Sequence, residues 1–422
     1  MAITRVTSGV ITDGTIANAD LADDAVGVAE LSATGTASSS TFLRGDNAWA
    51  TAASGLPTQT DKDGYTLITD GTDASWAARS GRNLIINGAM QIAQRATSAT
   101  GITTYGYNTV DRFMNQFGNL GTWTVTQEAD GPAGFASSLK IDCTTADATP
   151  AAADNVYVSY TFEGFDCQSW KKGTASAESL TLSFWVKSFQ TGTWQVNLRD
   201  YNNNRLVGGT YTVNASATWE YKTITFAPDT TGAITNNSSG NIAMEIWLDS
   251  GTNYAGGAVP TAWETRVNTD RNAGSTIRLG DSTNNYWQIT GVQLEIGSTA
   301  TPFEHKTYGQ ELADCQRYYE KSYNQGSNPG SATAVGAWMW RHTDAGPGVN
   351  TVSFQTPKRT TPTVVSYGRA SGTSGKITNM SGGAADTTAT AFNTGECSVT
   401  FSWTSTGSET YVEGHWTADA EL

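Results

Sequence analysis

Between residues 180 and 300 apolar and polar positions alternate with a period of two. In SLTLSFWVKSF, Leu180, Leu182, Phe184 and Val186 fall on one parity and Trp185 and Lys187 on the other. TWQVNLRD sets Trp194, Val196 and Leu198 against Gln195, Asn197 and Arg199, and TWEYKTITFAP sets Ile224 and Phe226 against Trp219, Tyr221 and Thr223. NIAMEIWLDSG sets Ile242, Met244, Ile246 and Leu248 against Glu245, Trp247 and Asp249. Successive side chains of a strand point to opposite faces, so each segment is predicted as a strand with one apolar face. YWQITGVQLEIG closes the series near residue 297. From Asn83 onward Gly, Asn, Asp and Ser separate such segments, which is the punctuation of an antiparallel sandwich.

Two other periods flank this region. GQELADCQRYYEKSY, from Gly309 to Tyr323, places Leu312, Cys315, Gln316 and Tyr319 at helical spacing, with Glu311 and Asp314 early and Arg317 and Lys321 late. That pattern predicts one helix serving as a spacer or hinge. Beyond it, VGAWMWRH, NTVSFQTP, TPTVVSYG, GKITNM, ECSVTFSW and TYVEGHW are predicted strands of a smaller β unit, joined by loops such as GRASGTSG and NMSGGAADTT. At the N-terminal end Val6, Ile11, Ile16, Leu21, Val26 and Leu31 recur every five residues. Five matches neither helix nor flat strand, and fits a chain that turns a corner after each short extended step. A solenoid of pentapeptides has this spacing, but six units make little more than one coil. A strip that buries one side chain in five cannot offset its own ordering entropy, so several copies wrapped around a shared apolar seam are preferred. FLRGDNAWAT and LITDGTDASWAA follow, each running from an aliphatic residue through a Gly/Asp turn to Trp-Ala. The Arg44-Gly45-Asp46 triplet is read as the first of these turns rather than as an adhesion motif.

Composition narrows the function classes. The 422 residues include 44 glycines and 14 tryptophans with only 15% charged residues, which disfavours both a helical and a disordered chain. Net charge is −14. So acidic a chain lacks the footprint for phosphate backbones or anionic lipid, so no nucleic-acid partner is expected. No run of 18 apolar residues predicts a membrane span, and MAITRVTSGVITDG shows no secretory h-region. Four scattered cysteines (143, 167, 315, 397) are expected as buried reduced thiols, and His305, His342 and His415 make no triad or metal box.

Several strings carry a family resemblance. NLIINGAMQIAQR, then YNTVDRF, then GVQLEIGSTATPFEHKTYGQELADCQRYYEKSY resembles a jelly-roll domain common in bacteriophage tail fibres. The Asn-Leu-x-x-Asn-Gly opening and the V-x-L-E closing strand are also similar to carbohydrate-binding-module jelly rolls. TDGTIANADLADDAV, FLRGDNAWAT, FQTPKRTTPTVV and HWTADAEL are similar to phage fibre segments. The resemblance implies an all-β, elongated, homotrimeric virion fibre protein, assembled in the host cytoplasm. Its parts would be an N-terminal stalk and virion attachment (1–82), a jelly-roll β-sandwich (83–308), a helical spacer (309–323) and a C-terminal β-sandwich knob (324–422). The N-terminus would meet another virion protein of tail, baseplate or capsid. The receptor would be a host surface polysaccharide or lipopolysaccharide, bound without catalysis and without membrane insertion. Related carbohydrate-binding jelly rolls often carry an acidic residue after the opening Asn-Gly that helps hold a structural calcium ion. Here Asn87-Gly88-Ala89-Met90-Gln91 departs from that pattern. No metal ligand or cofactor is assigned, and a calcium ion would have to rest on other carboxylates and carbonyls.

Two groups of candidate ligand-binding residues follow. Trp185, Trp219, Tyr221 and Trp247 share the polar-facing parity. If their strands share a sheet they form an aromatic platform on which the C–H faces of sugars stack, unless a loop, the helix or another subunit covers that face. Trp338, Trp340, Tyr367, Arg369 and Lys376 lie near Gly/Ser-rich loops of the C-terminal unit, where recognition residues concentrate, and as a region this knob is the favoured receptor contact. The rival readings are a capsid fibre or decoration protein with a weak adhesive role, and a polysaccharide-degrading spike with paired carboxylates such as Glu245 and Asp249. The long parallel β-helix repeats usual in such spikes are missing from the sequence.

Overall fold

The computed structural model describes residues 34–51, 59, 65–69, 74–78, 80–343, 346–381, 383–405 and 410–422. The six residues of the five-residue repeat lie outside them. The chain divides into two compact units, Met1–Thr60 with Leu67–Ala77, and Asp61–Thr66 with Ala78–Leu422. It is an all-β, multi-domain fold. Near the N-terminus β1 (Thr41–Leu43) pairs antiparallel with β2 (Trp49–Thr51), and β3 (Tyr65–Thr69) pairs with β4 (Ala74–Ala78). Arg44-Gly45-Asp46 is the turn between β1 and β2. Arg44 and Asp46 pair at 3.5 Å, and the next residue, Asn47, takes the left-handed φ of 61° that closes a tight hairpin.

The alternating region folds as a jelly-roll sandwich. Its strands are β5 (Ser98–Ile102), β6 (Met114–Gly118), β7 (Thr122–Glu128), β8 (Ser138–Thr145), β9 (Asn155–Glu163), β10 (Leu180–Ser188), β11 (Gly192–Asp200), β12 (Arg205–Val213), β13 (Glu220–Phe226), β14 (Gly240–Ser250), β15 (Glu264–Thr265) and β16 (Tyr286–Ile296). The first sheet runs β13-β10-β16-β8-β7-β5 and the second β15-β12-β11-β14-β9-β6. From β8 to β11 each connection crosses between the sheets, and the apolar parities meet in one core that includes Trp123, Phe184, Trp194, Ile246 and Trp287.

The polar parity of the second sheet is buried too. Residues 251–277 lie over it: Gln195 Nε2 donates to Asp270 O and Asn197 Nδ2 to Arg271 O, both at 2.7 Å, and Gly274 N donates to Gln195 Oε1 at 2.8 Å. Each covered amide thereby finds a partner, which burial of a polar group requires.

Thr307 and Gln310 form a reciprocal capping box that starts α1 (Tyr308–Gln316). The helix is shorter than the 309–323 its spacing predicts. Tyr319–Lys321 instead forms β17 and pairs with β24 (Thr410–Asp419). Between them lie β18 (Trp338–His342), β19 (Gly346–Ser353), β20 (Thr363–Gly368), β21 (Lys376–Asn379), β22 (Ala385–Phe392) and β23 (Ser398–Ser405). The path is β17-β24-β21-β22-β23-β19, with β18 and β20 also on β24. Strand β22 falls partly in a segment read as a loop, because ADTTATAF alternates small residues and gives a weak apolar signal. Cys143, Cys167 and Cys315 are buried, whereas Cys397 is exposed, and all four are free thiols.

Of the strings that carry the resemblance, those from Asn83 onward meet in space. Asn83 Oδ1 accepts from Ile85 N at 3.0 Å and Leu294 N at 3.2 Å, and Val292 N donates to Gly88 O at 2.9 Å, so the opening motif is fastened along β16. Arg95 reaches Asp419 at the end of β24 and Glu421 beyond it, Arg112 reaches Glu421, and Arg317 forks onto Glu163 at 2.7 and 2.8 Å. Lys358 is fully buried against Glu320 at 2.6 Å, and Arg359 donates to Glu421 O at 2.7 Å and Ser238 O at 2.8 Å. Burial pushes the Asp111 carboxyl up to about 6, against the opposing pull of Arg95. These contacts tie the sandwich to the C-terminal strands through α1 and β17.

Candidate functional site

Strand β10 directs Trp185 and Lys187 to the outer face of the first sheet. Across the ladder Tyr221 of β13 stands opposite Trp185, while Thr290 and Gln288 of β16 stand opposite Trp185 and Lys187. The β10–β16 register shifts between Ser183 and Trp185, and this bulge leaves Gly291 at φ 62°. A Cβ there would come 2.8 Å from Phe135 and 3.2 Å from Trp185, so both backbone and space require glycine.

Two loops raise walls around this floor. Phe135 comes from the β7–β8 connection, and Phe303 and His305 come from the chain after β16. In Phe303-Glu304-His305 the rings go one way and the carboxylate the other. Glu304 accepts from the backbone N–H groups of Arg82 and Asn83, both at 2.9 Å, and of Gly81, and its own N–H donates to Gln293 Oε1 at 2.8 Å. Burial pushes the Glu304 carboxyl up, but these N–H groups hold it below the usual carboxylate range. Ring centroids lie 5.3 Å apart for Trp185 and Tyr221, 5.0 Å for Phe135 and Phe303, and 4.8 Å for Phe303 and His305. With Gly291 and Pro302 these residues line a cleft of about 500 Å³.

The rim is charged but internally balanced. The Lys187 ammonium bonds the Asp130 carboxylate and sits 5.3 Å from the Trp219 ring centroid, and Trp219 Nε1 lies 3.4 Å from Asp130 Oδ1. The hydrogen bond from Lys187 leads in holding Asp130 below the usual carboxylate range. Beside Trp185, Thr290 Oγ1 and Gln288 Oε1 are buried with no hydrogen-bond partner. Unpaired buried polar atoms are costly. A larger cavity of about 590 Å³ at Arg82, Glu178 and Glu295 holds no aromatic ring, and its Arg82 and Glu295 are both bonded to Thr301.

The expected platform is thus divided. Trp185, Trp219 and Tyr221 share one face of the first sheet. Trp247 belongs to the second sheet and is fully buried, stacked on Tyr157 at 4.6 Å beneath the Arg271 guanidinium, so it is a packing residue. Glu245 and Asp249 are buried as well, bound by Arg271 and Arg199 and by Arg278 respectively. Burial pushes the Glu245 carboxyl up, but Arg271 and Arg199 hold it below the usual carboxylate range. In the C-terminal unit Trp338 stacks on Phe401 at 5.6 Å as part of the core, and Arg369 is paired with Glu413 at 2.9 Å. Lys376 Nζ bonds Thr388 Oγ1 at 3.0 Å, and Tyr367 packs edge-on to Tyr323. Trp340 is 42% exposed, next to exposed Met339. Phe135, Phe303 and His305 were missed because loop residues carry no period.

The opening Asn-Gly is structural. Asn87 is fully buried at φ 62°, its amide bonds the carbonyls of Ile92 and Asp111 and the Ile92 N–H, and its own N–H donates to Glu311. Among the described residues, no group of three or more His, Cys, Asp or Glu converges as metal ligands, and no helix is long and apolar enough to cross a membrane.

No family model and no curated protein matches the chain. Solved structures align with about half of it. The enzymatically active domain of a bacteriophage CBA120 tailspike protein is 11% identical at a TM-score of 0.26, over 52% of this chain and 22% of that one. A putative sugar-binding protein from Bacteroides thetaiotaomicron is 11% identical at 0.29, over 51% and 100%. A family 11 carbohydrate-binding module from Clostridium thermocellum, solved with a mixed-linked tetrasaccharide, is 10% identical at 0.24, over 48% and 98%. The functional reading rests on the cleft's own residues.

Proposed function

We propose that the chain binds glycan on a host cell surface through the Trp185–Tyr221 cleft, without cleaving it, as part of a phage virion fibre. The observation that carries the reading is the cleft itself: five rings around a glycine-floored bulge. Rings supply flat apolar faces for the C–H side of a pyranose. Because Lys187 is already neutralised by Asp130, a neutral sugar suits the rim. The virion setting is inferred from the resemblance of the fibre-like strings alone.

The test is binding to an oligosaccharide array and to whole host cells. The double variant Trp185→Ala/Tyr221→Ala is expected to lose at least about a hundredfold in affinity, with its melting transition preserved. Thr290→Val removes a buried hydroxyl that has no hydrogen-bond partner, so stability should stay equal or rise by about 1 kcal/mol. Unchanged binding by the folded double variant would reject the cleft.

Trimerisation is proposed from the five-residue repeat, whose apolar residues need partner chains to be buried. Sedimentation of the folded full chain should give three times 44.7 kDa; a single-chain mass contradicts the shared seam.

A further inference from the structure

The outer face of the second sheet carries a charge feature that the cleft does not use. Near the β11–β12 turn two guanidiniums meet one carboxylate and a third stands close by. Arg271 lies 2.8 and 3.1 Å from Glu245, and Arg199 lies 3.2 Å from it. Arg266 has no carboxylate at ion-pair distance among the described residues: its Nε donates to Asn204 Oδ1 at 3.0 Å and its Nη1 to Asn268 Oδ1. Burial and then the like charges of Arg199 and Arg271 lower its pKa, against the opposing pull of Glu245. Elsewhere in the sandwich cations are matched to acids, as in Lys172 with Asp200 and Asp229, Arg205 with Asp229, Lys222 with Glu220, and Arg278 with Asp249. Arg199, Arg266 and Arg271 share one paired carboxylate, Glu245, and the nearest further acids along the chain are Glu264 and Asp270, in a chain whose net charge is −14.

An aromatic surface adjoins the spot. Tyr201 is 43% exposed, and the Arg199 guanidinium lies 4.5 Å from its ring centroid. The same tyrosine borders an open groove of about 420 Å³ with Met114, Gln116, Ser159 and Thr161. A guanidinium offers a planar fork of donors that matches a carboxylate or phosphate.

We propose that Arg199, Arg266 and Tyr201 form a second binding site, separate from the Trp185 cleft, for an oxyanion borne by a saccharide. Its source is a uronate carboxylate or a phosphate ester. The arginines take the oxyanion, and the exposed Tyr201 ring takes the sugar face.

The full chain is titrated at low ionic strength with polygalacturonate, with poly(glycerol phosphate) and with neutral dextran. An acidic protein repels polyanions, so binding requires a local cationic site. At least one of the two polyanions is expected to bind, with affinity falling as salt rises. Binding of polygalacturonate alone assigns the carboxylate, binding of poly(glycerol phosphate) alone assigns the phosphate ester, and binding of both assigns the shared oxyanion chemistry. Arg266→Gln breaks no ion pair, so it should fold normally and bind at least about tenfold more weakly. The Trp185→Ala/Tyr221→Ala variant should bind the polyanion as the unmodified chain does, which separates this site from the cleft. Failure of both polyanions to bind, equal binding by Arg266→Gln, or loss of polyanion binding in the cleft variant would each overturn the proposal.

Discussion

Replacing Arg112 with methionine is expected to destabilise the protein by about 3–5 kcal/mol, because it leaves a buried carboxylate without its main partner. Arg112 is fully buried, with Nη1 2.5 Å from Glu421 Oε2 and Nη2 2.8 Å from Thr161 O. Its guanidinium carbon lies 3.4 Å from the Tyr318 ring centroid and 4.9 Å from that of Tyr160. The residue joins β9, Tyr318 between α1 and β17, and the C-terminal segment, so its loss should be felt on both sides of the junction. Glu421 keeps Arg95 at 3.5 Å, which limits the damage. Adding Glu421→Gln to the methionine variant should recover part of the loss, since it removes the orphaned charge; the double-mutant cycle isolates the pair. Urea unfolding measures all three variants. A loss below about 1 kcal/mol would mean that the pair is solvated rather than buried.

Gly88→Ala is expected to lower stability by about 3 kcal/mol, through overpacking against backbone. A Cβ built at Gly88 lies 2.1 Å from Val292 O and 3.2 Å from Val292 C. Val292 belongs to a central strand and cannot move away freely, because Leu84 N and Leu294 N fix its neighbour Leu294 by hydrogen bonds on either side of the motif. The Asn-Gly of the opening string is thus explained by two different needs. Asn87 adopts a left-handed φ and caps Ile92 and Asp111, while Gly88 allows close approach to β16. Thermal denaturation should show the loss; a melting temperature equal to that of the unmodified chain would refute the close approach.

How far the chain can be read before it folds depends on the kind of signal. Period-two alternation placed Leu182, Phe184, Trp194, Ile224 and Met244 in the core, where they are. It also set Trp185 and Tyr221 outward, and the ladder makes them direct neighbours. The same rule misplaced Trp247, because parity tells which face a residue takes and not what covers that face. Here residues 251–277 and Arg271 bury it. Helical spacing ran past Gln316 because Tyr319 continues the pattern, although β24 captures that residue as a strand partner. Tertiary pairing outweighed local periodicity there. The walls of the cleft were illegible: Phe135 and Phe303 become neighbours only when loops from distant parts of the chain cross the same sheet.

The most direct measurement is a crystal structure of the full chain with an oligosaccharide selected from the array. The cleft reading predicts a pyranose ring within about 4 Å of the Trp185 or Tyr221 ring. An oligosaccharide bound elsewhere, with the cleft unchanged, would contradict it.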